Sequence, residues 1–151
     1  MAPLITLLLG TIAARGIGWL GWSGEGYVNS WTAALAVGLA AMFMLTGFAH
    51  FAPALRRDLI AIVPPRLPAP GHLVTITGLL ELLGAAGLLV PTTRVAAAVC
   101  LLVLMLAMFP ANVYASRMPN PPKSMTTRLA LRTAMEVAFL AAAVAVAVGS
   151  G

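Results

Sequence analysis

At 151 residues the chain has the length of one domain. It is 61% apolar and 9% charged, where soluble domains carry ~25% charged residues, and its mean hydropathy of +0.99 excludes an ordinary soluble enzyme. Four acids and two histidines leave little material for hydrolytic or metal chemistry. The net charge of +5 comes from nine cations that sit mostly between apolar runs, a pattern of membrane topology rather than of a nucleic-acid-binding face.

A bilayer core is crossed by about 20 helical residues, and five apolar runs of that order lie near residues 3–22, 31–51, 73–90, 95–114 and 129–148. They predict an all-α, polytopic transmembrane helical bundle forming a single integral membrane domain over 1–151. The first run is interrupted by Arg15 and by Gly10, Gly16, Gly18 and Gly21. No basic residue precedes its apolar stretch, so it is expected to be retained as a span rather than removed as a secretory signal. Gly10, Ala14 and Gly18 recur every four residues, as do Ala134, Ala138 and Ala142 in the last run, and both series suit close helix contact. Trp19, Trp22, Tyr27 and Trp31 cluster around the first loop as one half of an aromatic belt, where Arg15 is expected to snorkel to the headgroups or pair with Glu25.

Between the second and third runs, Leu55, Leu59 and Ile62 recur at helical spacing opposite Arg56, Arg57 and Asp58, which predicts a short amphipathic helix lying on the membrane surface. Pro64, Pro65, Pro68 and Pro70 then predict an extended, mostly polyproline-type connection. This loop carries Arg56, Arg57 and Arg66, and the loop before the last run carries Arg117, Lys123 and Arg128. Because cations of short loops are retained on the cytoplasmic side, the N-terminus is expected inside and the C-terminus outside. Cys100, the one cysteine, lies in an apolar run and can form neither an intramolecular disulfide nor a thiolate metal site.

Ionisable residues inside a bilayer cost ~2.5 to 3.5 kcal/mol at mid-depth and need a partner, a cavity or neutrality. At ~1.5 Å rise per residue, Glu81 falls near the middle of its span, Glu136 roughly 4 Å inward, Arg132 roughly 10 Å, Asn112 about 12 Å and His50 about 14 Å. These five residues form the candidate ligand- or proton-handling column; no catalytic residue and no metal site is indicated. Arg132 and Glu136, four apart, share a helix face and are expected to pair. Glu81, whose neighbour four residues back is Thr77, is expected either as a neutral, hydrogen-bonding carboxyl or as a second claimant on Arg132.

The strings LTGFAHF (Leu45 to Phe51), TGLLELLGAAGLLVPTTRVAA (Thr77 to Ala97) and MFPANVYA (Met108 to Ala115) resemble the DoxX-like family of small bacterial membrane proteins, over Trp31 to Val148. The resemblance implies a four-helix membrane core in the bacterial inner membrane, with the first helix added to it, and places Glu81 at the family's acidic position. His50 stands where many relatives have a lysine. Some relatives are the membrane subunit of a thiosulfate to quinone oxidoreductase, so the resemblance also implies quinone association and membrane redox partner subunits. The functional expectation is an inner-membrane accessory subunit, not an enzyme by itself, whose polar column accommodates a quinone-like ligand. A small solute transporter or proton pathway, and a structural assembly factor without ligand, are the alternatives. The lipid bilayer and a second copy of the chain are the other expected partners.

Overall fold

The computed structural model describes residues 1–21 and 29–150. Every regular element among them is helical: α1 (Ala2–Trp19), α2 (Trp31–Ala49), α3 (Pro53–Ala61), α4 (Pro70–Leu89), α5 (Arg94–Arg117), a 3-10 turn (Lys123–Met125) and α6 (Leu129–Gly149). All but α3 and the 3-10 turn are long and apolar enough to cross a membrane. Trp22, Glu25 and Tyr27, with their expected roles in an aromatic belt and as a partner of Arg15, lie outside the described residues.

Successive long helices alternate in direction, and α2, α4, α5 and α6 close a ring in which each packs on two neighbours. Leu39, Met42, Leu88, Leu101 and Val146 fill its interior and are almost wholly excluded from the surface. The outward faces carry Leu83, Val99, Val103, Leu106, Val137 and Val148, all strongly exposed. This inside-out apolarity is the arrangement a lipid solvent permits, because tails are as apolar as the side chains that meet them. Cys100 is among the exposed residues.

Helix α1 stands outside the ring and packs principally on α2. The small residues spaced by four make this contact: Ala14 and Gly18 are buried, and a Cβ on Gly10 would lie 3.0 Å from Gly38 Cα. Gly38 is tighter still, since its Cβ would meet the Leu7 carbonyl at 2.6 Å and the Thr11 nitrogen at 2.9 Å. The matching series on α6 behaves differently, with Ala134 and Ala138 exposed.

Two segments depart from expectation. The proline connection is not extended, because the Leu67 amide donates to the Pro64 carbonyl at 2.9 Å and closes a turn. Pro70 belongs to α4 instead of the linker, since the first helical turn needs no amide hydrogen from it and its fixed φ suits that position. Ala69, ahead of it, takes φ 50° and ψ 57°, a left-handed conformation that costs a residue with a Cβ ~1 to 2 kcal/mol. Helix α5 continues through Pro110, whose missing amide is tolerated in membrane helices that neighbours support.

At the end of the bundle bearing both arginine-rich loops, here called the basic end, the spacing of Leu55 and Leu59 is realised as a helix, and α3 packs on α4 and on the 3-10 turn. Arg56 fastens it, donating from Nη1 to the His50 carbonyl at 3.1 Å and from Nη2 to the Gly71 carbonyl and Thr75 Oγ1, both at 2.9 Å. Asp58 ties α3 to the second loop by accepting from Ser124 Oγ at 2.5 Å. Arg57, Arg66, Arg117, Lys123 and Arg128 remain exposed around this end.

Candidate functional site

The site is made by the close approach of α2 and α4 at two glycines. A Cβ on Gly78 would lie 2.5 Å from His50 Cβ, and one on Gly47 would lie 2.8 Å from Leu82 Cδ2. With no side chains there, Thr46 and His50 of α2 are carried against Glu81 in the middle of α4. Thr46 and His50 are four apart and share a helix face. Glu81 is only 3% exposed and His50 6%.

Thr46 Oγ1 and Glu81 Oε2 are 2.6 Å apart, while the same hydroxyl is 3.3 Å from the Met42 carbonyl and 3.4 Å from that of Phe43. A hydroxyl has one hydrogen and two lone pairs. An ionised Glu81 therefore accepts from Thr46, whereas a neutral Glu81 donates to Thr46, whose own hydrogen turns to the Met42 carbonyl. Either state of the acid is satisfied without moving a heavy atom. His50 Nδ1 lies 2.8 Å from the Thr46 carbonyl, an acceptor only, so Nδ1 carries the hydrogen and Nε2 is the nitrogen that gains or loses a proton. Nε2 faces Glu81 Oε1 at 4.0 Å. That separation is an ion-pair distance rather than a hydrogen bond, and it accommodates imidazolium beside carboxylate or imidazole beside carboxylic acid.

Glu81 also borders a half-open cavity of about 140 Å³ lined by Pro3, Met42, Phe43, Thr46, Met105, Met108, Glu136 and Phe139. The four ring helices all contribute, and Pro3 of α1 adds to the wall from outside the ring. Glu136 Oε1 is shielded from solvent and has no hydrogen-bond partner among the described residues. Among those residues there is also no group of three or more His, Cys, Asp or Glu side chains able to hold a metal ion.

The polar column expected from depth alone is divided in two. Glu81 and His50 meet through Thr46, and Glu136 joins them at the cavity wall. Arg132 and Asn112 form a separate pair nearer the basic end, with Arg132 Nη1 donating to Asn112 Oδ1 at 3.3 Å and Nε donating to the Thr127 carbonyl at 3.1 Å. The expected ion pair between Arg132 and Glu136 is not formed. Helical side chains lean toward the N-terminus, so Arg132 reaches back to the start of α6 while Glu136 lies a turn deeper. Thr77, the expected neighbour of Glu81, bonds instead to its own helix at the Leu73 carbonyl, 3.0 Å away.

Thr46 is the site residue that the sequence reading misses. Its signal is its position four residues before His50 in the same apolar run. Arg56, read there only as a surface cation, is missed as the clamp on the helix end that presents His50. At the other end of the bundle, Arg15 lies over the Trp31 ring, 5.4 Å from its centroid.

Residues 39–147 match the model of a domain of unknown function, DUF8561, and the chain belongs to that family. The matched region takes in Thr46, His50, Glu81, Asn112, Arg132 and Glu136 and leaves out α1. No curated protein and no solved structure matches the chain.

Proposed function

We propose that this DUF8561 member is a bacterial inner-membrane protein in which Glu81 takes up and releases a proton in step with a small solute held in the adjoining cavity. The observation that carries the reading is the placement of Thr46 and His50 around Glu81, which satisfies the buried acid in both protonation states. A carboxyl kept only for packing needs one fixed partner; this one has partners that can exchange roles. Intramembrane acids facing a cavity mark ion and solute routes, since their cost is otherwise unrecovered. In this reading both arginine-bearing loops face the cytoplasm, so His50 lies on the cytoplasmic side of Glu81.

A second reading is favoured by the cavity's size. About 140 Å³ is close to the roughly 150 Å³ that admits benzene in an engineered protein cavity, which suits the ring of a quinone. A neutral Glu81 would donate to a quinone carbonyl, and the lipid-soluble tail would leave through the open side. Together with the DoxX-like resemblance, this supports an accessory, quinone-associated subunit of a membrane redox complex.

Glu81→Gln and Glu81→Leu separate these readings from a structural role. Gln keeps the shape and hydrogen bonding of the acid but cannot titrate. The full chain in liposomes is expected to show a carboxyl band in infrared difference spectra on a pH jump, absent from Glu81→Gln, with unfolding of that variant unchanged. Identical spectra in wild type and Glu81→Gln would remove Glu81 from proton handling. Quinone recovered by organic extraction of the purified wild type and lost from Glu81→Gln would support the second reading.

A further inference from the structure

Building on proton handling at Glu81, we infer that the cavity binds a lipophilic organic ammonium ion and releases a proton as it does so. Two carboxyl side chains, Glu81 and Glu136, line one cavity, and the shielded Oε1 of Glu136 is without a partner among the described residues. The charged and titratable groups around them leave this demand unmet. At the C-terminal end of α2, His50 stands behind Glu81 and outside the cavity wall, with Nδ1 on the Thr46 carbonyl and Nε2 4.0 Å from Glu81 Oε1. From α3 comes Arg56, whose guanidinium is taken by the His50 and Gly71 carbonyls and by Thr75. Helix α5 presents Met105 and Met108, and α6 adds Arg132, which is turned away to Asn112 and Thr127. Two carboxyl groups in one apolar enclosure resist ionising together, and a cationic guest is a species that lets one of them ionise.

The rest of the wall says which cation. Thr46 supplies the one other polar side chain, so an inorganic ion would find too few oxygens for the six or more that hard cations take. Phe43 and Phe139 bring aromatic rings and Met42, Met105 and Met108 polarisable thioethers to the wall, surroundings that suit an alkylated ammonium group. The volume fits one benzene-sized group, with any longer apolar part passing out through the cavity's open side. In the exchange, an O–H bond of one carboxylic acid breaks, its proton passes to the aqueous phase, and the ammonium ion replaces it as the compensating charge. No bond to the guest forms, and departure of the guest returns the proton.

The test uses the full chain in detergent with radiolabelled benzyltrimethylammonium, a permanent cation bearing one benzene ring, in equilibrium dialysis and in weakly buffered solution containing a pH dye. Saturable binding is expected, with about one proton released per cation, tighter binding at higher pH, and no competition from neopentylbenzene, its uncharged isostere. Glu136→Gln should weaken binding by about tenfold or more, the effect of losing one charge-assisted contact of ~1.4 kcal/mol, and Glu136→Asp should retain most of it. Absence of saturable binding, binding without proton release, equal competition by neopentylbenzene, or Glu136→Gln binding like wild type would each overturn the inference. The infrared band of Glu81 is read on the same samples. If it titrates while the cation fails to bind, the ligand class is wrong and proton handling stands; if it does not titrate, the underlying reading has failed.

Discussion

Replacing Thr46 by Val keeps the side chain's shape and removes the hydroxyl 2.6 Å from Glu81 Oε2. The acid is 3% exposed, so no water compensates for the loss. Interhelical hydrogen bonds in membrane proteins average only ~0.6 kcal/mol and reach ~1.7 kcal/mol, because the unfolded chain in the membrane also finds partners. A short bond to a buried carboxyl belongs at the upper end, and we expect Thr46→Val to destabilise the bundle by about 1.5 kcal/mol. In a Glu81→Leu background the orphaned carboxyl is gone, and the same change should cost ~0.5 kcal/mol or less, the low end for a net hydrogen bond, because the hydroxyl is left only its own helix to bond. The double-mutant cycle should then yield a coupling of about 1 kcal/mol. Reversible unfolding in mixed micelles, followed by tryptophan fluorescence, measures all four corners. Thr46→Ser, which restores the hydroxyl, should return most of the loss. Equal costs of Thr46→Val in the two backgrounds would show that the hydroxyl does not serve the acid, and the two-state hydrogen-bonding argument would collapse with it.

Arg132→Ala should destabilise by ~1 to 2 kcal/mol because Asn112 and the Thr127 carbonyl lose a donor, and its effect should add to that of Glu136→Ala within ~0.5 kcal/mol. A strong coupling in that unfolding cycle would restore the ion pair that the geometry denies. Gly38→Val drives a side chain into the Leu7 and Thr11 backbone, at a cost of about 1 to 3 kcal/mol from overpacking. Spin labels on α1 and α2 should move apart while the ring of α2, α4, α5 and α6 stays folded; an unchanged separation would contradict the close contact. Because one forked guanidinium serves three acceptors, Arg56→Lys should accelerate amide exchange in α3 nearly as much as Arg56→Ala does, and full protection in the lysine variant would refute the clamp. A reporter fused after Gly151 should be active only outside the cytoplasm, and cytoplasmic activity would reverse the proposed orientation.

By itself the sequence determines the helices and makes five of them long and apolar enough to cross a membrane. Apolar runs of about 20 residues can meet their backbone hydrogen bonds in lipid only as helices, so composition and length fix α1, α2, α4, α5 and α6. Small residues at Gly10, Ala14 and Gly18 are likewise readable as a contact face, because close approach depends on what is missing from a side chain. Depth along each helix is legible too, and it singles out Glu81, His50, Asn112, Arg132 and Glu136. Depth does not say which residues share an azimuth, and that is what tertiary structure decides. Only the docking of α2 on α4 through Gly47 and Gly78 brings Thr46 to Glu81. Likewise, helix direction turns Arg132 back toward Thr127 and leaves Glu136 to the cavity. The two Thr-Gly pairs, Thr46-Gly47 and Thr77-Gly78, look alike in sequence. One hydroxyl faces a carboxyl and the other its own helix, because the bundle rotates the first toward α4 and leaves the second nothing but its own backbone to bond.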